Sequence, residues 1–131
     1  MKKIALFLLA FLLVGVMTGC AGQSEPIQAL TIEDIQHDPF AYTGEITITG
    51  TVAFVDADTA MFGVKDTAEL IYCKNINCDA FMLPVKYAKA VPELGDEVIF
   101  TGSFAESSEG VVFEVKTFEV KRNIMRLISR Q

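Results

Sequence analysis

Between Glu45 and Phe54 the side chains alternate in character. Ile46, Ile48, Val52 and Phe54 share one parity, and Glu45, Thr47, Thr49 and Thr51 share the other. A repeat of two is the mark of a strand with one buried face. Gly50 falls on the buried side in the middle of the run, where a glycine marks a bulge or a sharp bend. A long strand that bends at its centre is the feature that most restricts how the chain can fold.

Further strands follow at short intervals. Asp56-Ala57-Asp58 has turn chemistry, and Ala60 to Lys65 returns as a second strand with Phe62 and Val64 as core candidates. Phe81 to Tyr87 reads as a third strand after a cysteine-bearing loop, with Met82 as a core side chain. Pro92 to Asp96 is a turn. Glu97 to Phe104 makes a fourth strand, and Ser107-Ser108-Glu109-Gly110 closes a hairpin into a fifth, Val111 to Val120. In that last strand Phe113 and Val115 share one parity while Phe118 and Val120 take the other, which predicts a bulge or a barrel corner. Ahead of the strands, Thr31-Ile32-Glu33-Asp34 reads as a capped helix start, and Asp38-Pro39 stops that helix.

The expected fold is all-β: a small five-stranded closed barrel with a short N-terminal helix, a β-sandwich being the alternative. The segment Asp38 to Val52 resembles the opening of extracytoplasmic OB-fold domains (the tRNA-anticodon-binding-like type). Val91-Pro92-Glu93-Leu94-Gly95-Asp96-Glu97-Val98-Ile99-Phe100-Thr101-Gly102 is similar to the approach to their fourth strand. The resemblance covers residues 31–121. It implies an OB-fold whose second and third strands offer a binding platform, here Phe62, Lys65, Tyr72, Lys74, Lys86 and Tyr87.

The first residues belong to another physical class. Lys2 and Lys3 precede an apolar run from Ile4 to Met17, broken only by Gly15. Fourteen helical residues span about 21 Å, short of the roughly 30 Å of a bilayer core, so a signal peptide is favoured over a transmembrane anchor. Met17-Thr18-Gly19-Cys20 resembles a bacterial lipobox, which implies cleavage before Cys20 and palmitate-type acylation there, a stable anchor once two or three chains are attached. Residues 1–19 are then leader, 20–30 a lipidated tether, 31–121 the barrel and 122–131 a basic tail. The chain would sit on the extracytoplasmic side of the cell membrane or the outer membrane.

Charge and length narrow the function. Residues 20–131 carry 9 basic and 17 acidic side chains, a net charge of −8. An acidic domain does not attract a phosphate backbone, so nucleic acid is not an expected partner. About 110 residues suffice for one domain, which excludes repeat arrays and polytopic membrane proteins. Cys73 and Cys78 are the remaining thiols, and in an oxidising compartment they read as a disulfide stapling their loop. The alternative is a redox pair, or soft ligands for Cu(I) together with Met82. Against a redox role, four residues separate the thiols and Asp79 disfavours a thiolate. His37, the lone histidine, reads as a contact at the end of the first helix. Asp56, Asp58 and Asp66 read as solvated turn acids. No catalytic set, metal site or cofactor motif is found.

In the tail, Ile124, Leu127 and Ile128 fall at helical spacing opposite Arg122, Arg126 and Arg130. This predicts a short final helix packed on the barrel or, alternatively, one lying on anionic lipid. The expected function is a membrane-anchored, non-catalytic binding or assembly module of the cell envelope, with a protein, peptide or glycan partner. The alternative is a thiol-redox or metal-handling lipoprotein using Cys73 and Cys78. The anchor is tested directly: Cys20→Ser should abolish incorporation of labelled palmitate and leave an unprocessed precursor, both read on a gel.

Overall fold

The computed structural model describes residues 28–129. The leader, Cys20 and most of the tether lie outside the described residues, as do Arg130 and Gln131. Strand β1 (Leu30–Thr31) leads into helix α1 (Ile32–Gln36) and a single 3-10 turn at Pro39–Ala41. Then come β2 (Ile46–Asp56), β3 (Met61–Lys65), helix α2 (Thr67–Cys73), β4 (Met82–Lys86), β5 (Asp96–Ser107), β6 (Gly110–Asn123) and helix α3 (Met125–Ile128). Strands β2, β3, β4, β6 and β5 follow one another in space, and β5 pairs back onto β2 to close a ring of five. That order is the closed five-stranded barrel expected from the alternation, and the OB-fold that the resemblance implies. Strand β1 adds a short parallel pairing, Leu30 opposite Ile48 and Thr31 opposite Thr49.

Closure depends on β2. Its first half, Ile46 to Thr51, pairs with β5, and its second half, Thr51 to Asp56, pairs with β3. At the crossing sits Gly50, where a Cβ would lie 2.5 Å from Val64 Cγ1 and 2.8 Å from the Lys65 carbonyl oxygen. Only a hydrogen fits. The bulge itself comes three residues later, at Ala53, between the Val52–Val64 and Phe54–Gly63 pairs. It reverses the parity of everything downstream. Val52 is fully buried and Val55 packs against the core, whereas Phe54, expected inside, is 50% exposed.

The parity change expected in the last strand is also present. Thr101 pairs with Thr117 but Gly102 with Val115, so Lys116 is the extra residue. Here too a glycine admits the partner backbone: a Cβ on Gly102 would come within 1.9 Å of the Glu114 carbonyl oxygen. The edge-to-face rings of Phe100, Phe104 and Phe113 fill the barrel on this side. Val120, on the face of Phe118, lies beyond the short β4–β6 seam and is half-exposed.

Helix α1 begins as predicted. Thr31 Oγ1 accepts from the Asp34 amide and the Asp34 carboxylate accepts from the Thr31 amide, a reciprocal capping box. The bonds from Thr31 hold the Asp34 carboxyl below its ordinary value. Ile32 and Ile35 enter the barrel core beside Ile48, Val64 and Leu83.

Helix α2 stands where the cysteine-bearing stretch predicts a loop. Thr67-Ala68-Glu69-Leu70-Ile71-Tyr72-Cys73 makes only two turns and buries only Leu70, too little for a visible period. What starts it is Asp66, which is 5% exposed and not the solvated turn acid expected. One of its oxygens accepts from the Ala68 and Glu69 amides, and the other accepts from the Glu33 amide in the first turn of α1. One carboxylate therefore caps two helices. Beside it the Thr51 and Thr67 hydroxyls are 2.9 Å apart, which satisfies the buried Thr51.

The tail takes the packed alternative. Strand β6 runs on to Asn123, and Ile124 and Ile128 are buried against Leu70 in a second apolar cluster that Ile76, Cys78 and Met125 flank. Leu127 stays half-exposed.

Asp66→Ala should cost about 2–3 kcal/mol, the loss of one cap plus a buried amide left unpartnered. The urea midpoint should fall at unchanged slope. Asp58→Ala, on an exposed turn, should shift stability by less than about 0.5 kcal/mol.

Candidate binding face

The outer wall of the barrel takes the side chains that the core does not. Phe62 and Val64 of β3 and Leu83 and Val85 of β4 point inward, so Met61, Gly63 and Lys65 point outward beside Lys86, Pro84 and Met82. The bulge at Ala53 adds β2 to this wall, with Phe54 opposite Gly63 and Asp56 opposite Met61. Met82, expected in the core, is instead 41% exposed and lies across Gly63, where a Cβ would meet its Sδ at 2.3 Å. The result is an apolar strip across three strands: Phe54, Met61, Pro84 and Met82.

Two hairpins frame one end of the strip. Asp56 shapes the β2–β3 turn, its carboxylate accepting from the Asp58 amide and the Thr59 hydroxyl. Across from it, Ser107 Oγ donates to the Gly110 carbonyl and closes the β5–β6 turn. Between them opens a cleft of about 590 Å³, lined by Phe54, Met61, Val112, Lys86 and the acids Asp56, Glu106, Glu109 and Glu114, with Thr59, Ser107 and Ser108 at its edge. Its size is in the range of small-ligand or side-chain pockets.

Of the six residues expected to form the binding platform, Lys86 alone lines this cleft. Phe62 is 2% exposed and belongs to the core, its ring edge-on to Phe118. Tyr87 is half-buried against the same Phe118. Tyr72 and Lys74 stand apart on α2, Tyr72 91% exposed and Lys74 at the left-handed end of the helix with φ +55°. Lys65 has a structural partner: its Nζ donates to the Cys78 carbonyl at 2.6 Å and reaches the Ile76 carbonyl at 3.4 Å. Phe54, Met61, Glu106, Glu109 and Glu114 are absent from that expected set. The acids Glu106 and Glu109 beside the hairpin are readable as a rim, but nothing local announces that Phe54 turns outward.

Cys73 and Cys78 form a disulfide with their Cα atoms 6.3 Å apart. It ties the end of α2 to the stretch whose Cys78 and Ile76 carbonyls hold Lys65, joining the second apolar cluster to the barrel wall. His37 takes the C-cap position of α1 and is exposed. Among the described residues, no three of His, Cys, Asp and Glu converge as metal ligands.

No protein-family model matches this chain, and no curated protein does. Solved structures do. The chain is similar to the hypothetical protein YgiW from E. coli, at 14% identity over 71% of this chain and 89% of that one, with a TM-score of 0.46. It is also similar to the OBody AM1L10 bound to hen egg-white lysozyme (19% identity, 76% and 97% covered, TM-score 0.45). A third likeness is to a replication protein A heterotrimer bound to ssDNA (8% identity, 81% and 75% covered, TM-score 0.40). The barrel assignment rests on the strand pairing itself, and the expectation against nucleic acid finds no support among these likenesses.

The disulfide has its own check. Both thiols should alkylate only after reduction, read by mass. The paired Cys73→Ser, Cys78→Ser change should lower stability by about 2 kcal/mol, the loop-closure value for so short a loop.

Proposed function

We propose that this chain is a non-catalytic binding module of the cell envelope, held to a membrane through lipid on Cys20 and facing the extracytoplasmic side. Its partner is a protein or peptide segment lying across β2, β3 and β4. The observation that carries this reading is Phe54. A large aromatic ring is held out of the core by a bulge, beside three more outward apolar side chains and at the mouth of a cleft. An exposed aromatic among apolar neighbours is what binding surfaces use, because a stiff ring loses little freedom on contact.

Electrostatics support a protein over a phosphate-bearing ligand. Four carboxylates and one ammonium line the cleft, and like charge on a phosphate backbone costs affinity. The disulfide supports the same role, since it fixes the loop that holds Lys65 beside Met82 at one end of the strip.

A photo-reactive phenylalanine analogue at position 54 in cells tests the reading. It should give a discrete adduct, and the same analogue at Lys121, on a strand outside the strip, should give none. Equal or absent adducts at the two positions would sink the proposal. Phe54→Ala should remove partner retention while lowering stability by only about 1 kcal/mol, because half of the ring is in water already.

A further inference from the structure

The cleft beside Phe54 gathers four carboxylates, Asp56, Glu106, Glu109 and Glu114, around a single ammonium, Lys86. The ion pairs among the described residues, Lys116 with Glu45, Lys121 with Glu119 and Arg122 with Glu97, all lie outside it. Around the cleft, Glu106, Glu109 and Glu114 stand in no ion pair among the described residues. Asp56 is engaged with its own turn.

These acids also fail to converge, since no three of them close on a point where an ion could sit. A divalent cation needs several oxygens within bonding reach, so the arrangement is wrong for a metal. The carboxylates instead ring a floor of Phe54 and Met61, and the apolar strip continues from there to Pro84 and Met82. A ligand matching both parts must carry separated positive charges on an apolar, extended frame. An extended peptide does so: alternate side chains fall on one face about 7 Å apart. A cation among them can rest on the Phe54 ring and still reach the rim.

We propose that the occupant of this face is an extended peptide segment of a partner protein in which lysine or arginine alternates with apolar residues. The proposal rests on the binding role given above and adds its chemistry. Steering by uncompensated carboxylates makes capture fast and salt-sensitive. The apolar strip holds the segment once it has arrived.

The test uses the full lipidated chain in non-ionic detergent, with methyl-labelled methionine. Met61 and Met82 report the face and Met125 the second cluster, outside the cleft. Three octapeptides serve as probes: alternating lysine–valine, serine–valine and glutamate–valine. The lysine–valine peptide should move the Met61 and Met82 methyl signals and leave Met125 in place. Its affinity should fall by about tenfold in the exposed Glu106→Gln, Glu109→Gln, Glu114→Gln variant, and again at high salt. If the serine or glutamate peptide moves the same methyls as strongly, the charge inference is overturned while the binding role stands. The charge inference falls in the same way if no peptide moves them but the position-54 adduct still forms in cells. If that adduct is missing too, both readings fall.

Discussion

Strand β2 must serve two neighbours, β5 along its first half and β3 along its second, and the barrel closes only because the chain can turn where the halves meet. Two residues make the turn possible by different means. Gly50 removes a side chain so that Val64 and the Lys65 backbone can press against β2. Ala53 adds a residue, so that the strand bends and its later side chains change faces. The first is a matter of space and the second of register. Together they settle which side chains form the core and which form the outer wall, including the exposure of Phe54. The Gly102 and Lys116 pair repeats the arrangement on β5 and β6.

A barrel of this size buries a modest core and needs support at its open parts. The seam between β4 and β6 holds only the Val85–Phe113 and Lys86–Glu114 pairs. Helices are therefore fastened to the ring by polar contacts as well as by packing. Asp66 caps α1 and α2 with one carboxylate, Thr51 meets Thr67, and Lys65 reaches over to the loop stapled by Cys73 and Cys78. Ile124 and Ile128 then close the second cluster over Leu70. A buried carboxylate with three amide donors is stable because every bond it gave up to water has been replaced.

The outer wall joins these structural facts to a role. A bulge that turns an aromatic ring into water is unfavourable unless the ring has something to meet, and strands β3 and β4 supply it with apolar neighbours. The same register places acidic hairpins at one end of the strip. The reversal of parity after Val52 turns Phe54 outward, and the β5–β6 hairpin brings the acids to it.

Much of the fold is legible along the chain. Alternation in Ile46 to Val52 and in Val98 to Phe104 marks strands, the parity break between Val115 and Phe118 marks the bulge at Lys116, and Thr31 with Asp34 marks the capped helix. Helix α2 is not legible, being two turns with one buried residue. Nor is the fate of Phe54 and Met82, which share a pattern with true core residues. Periodicity is a property of neighbours along the chain, so the sequence by itself determined where strands lie, that they form a small barrel, and that two cysteines stand close enough to join. Which face a side chain finally shows depends on where an extra residue slips between two paired strands, and that is decided by the partner strand. For this reason only the tertiary structure placed Asp66 between two helices and turned Phe54 outward to make a face.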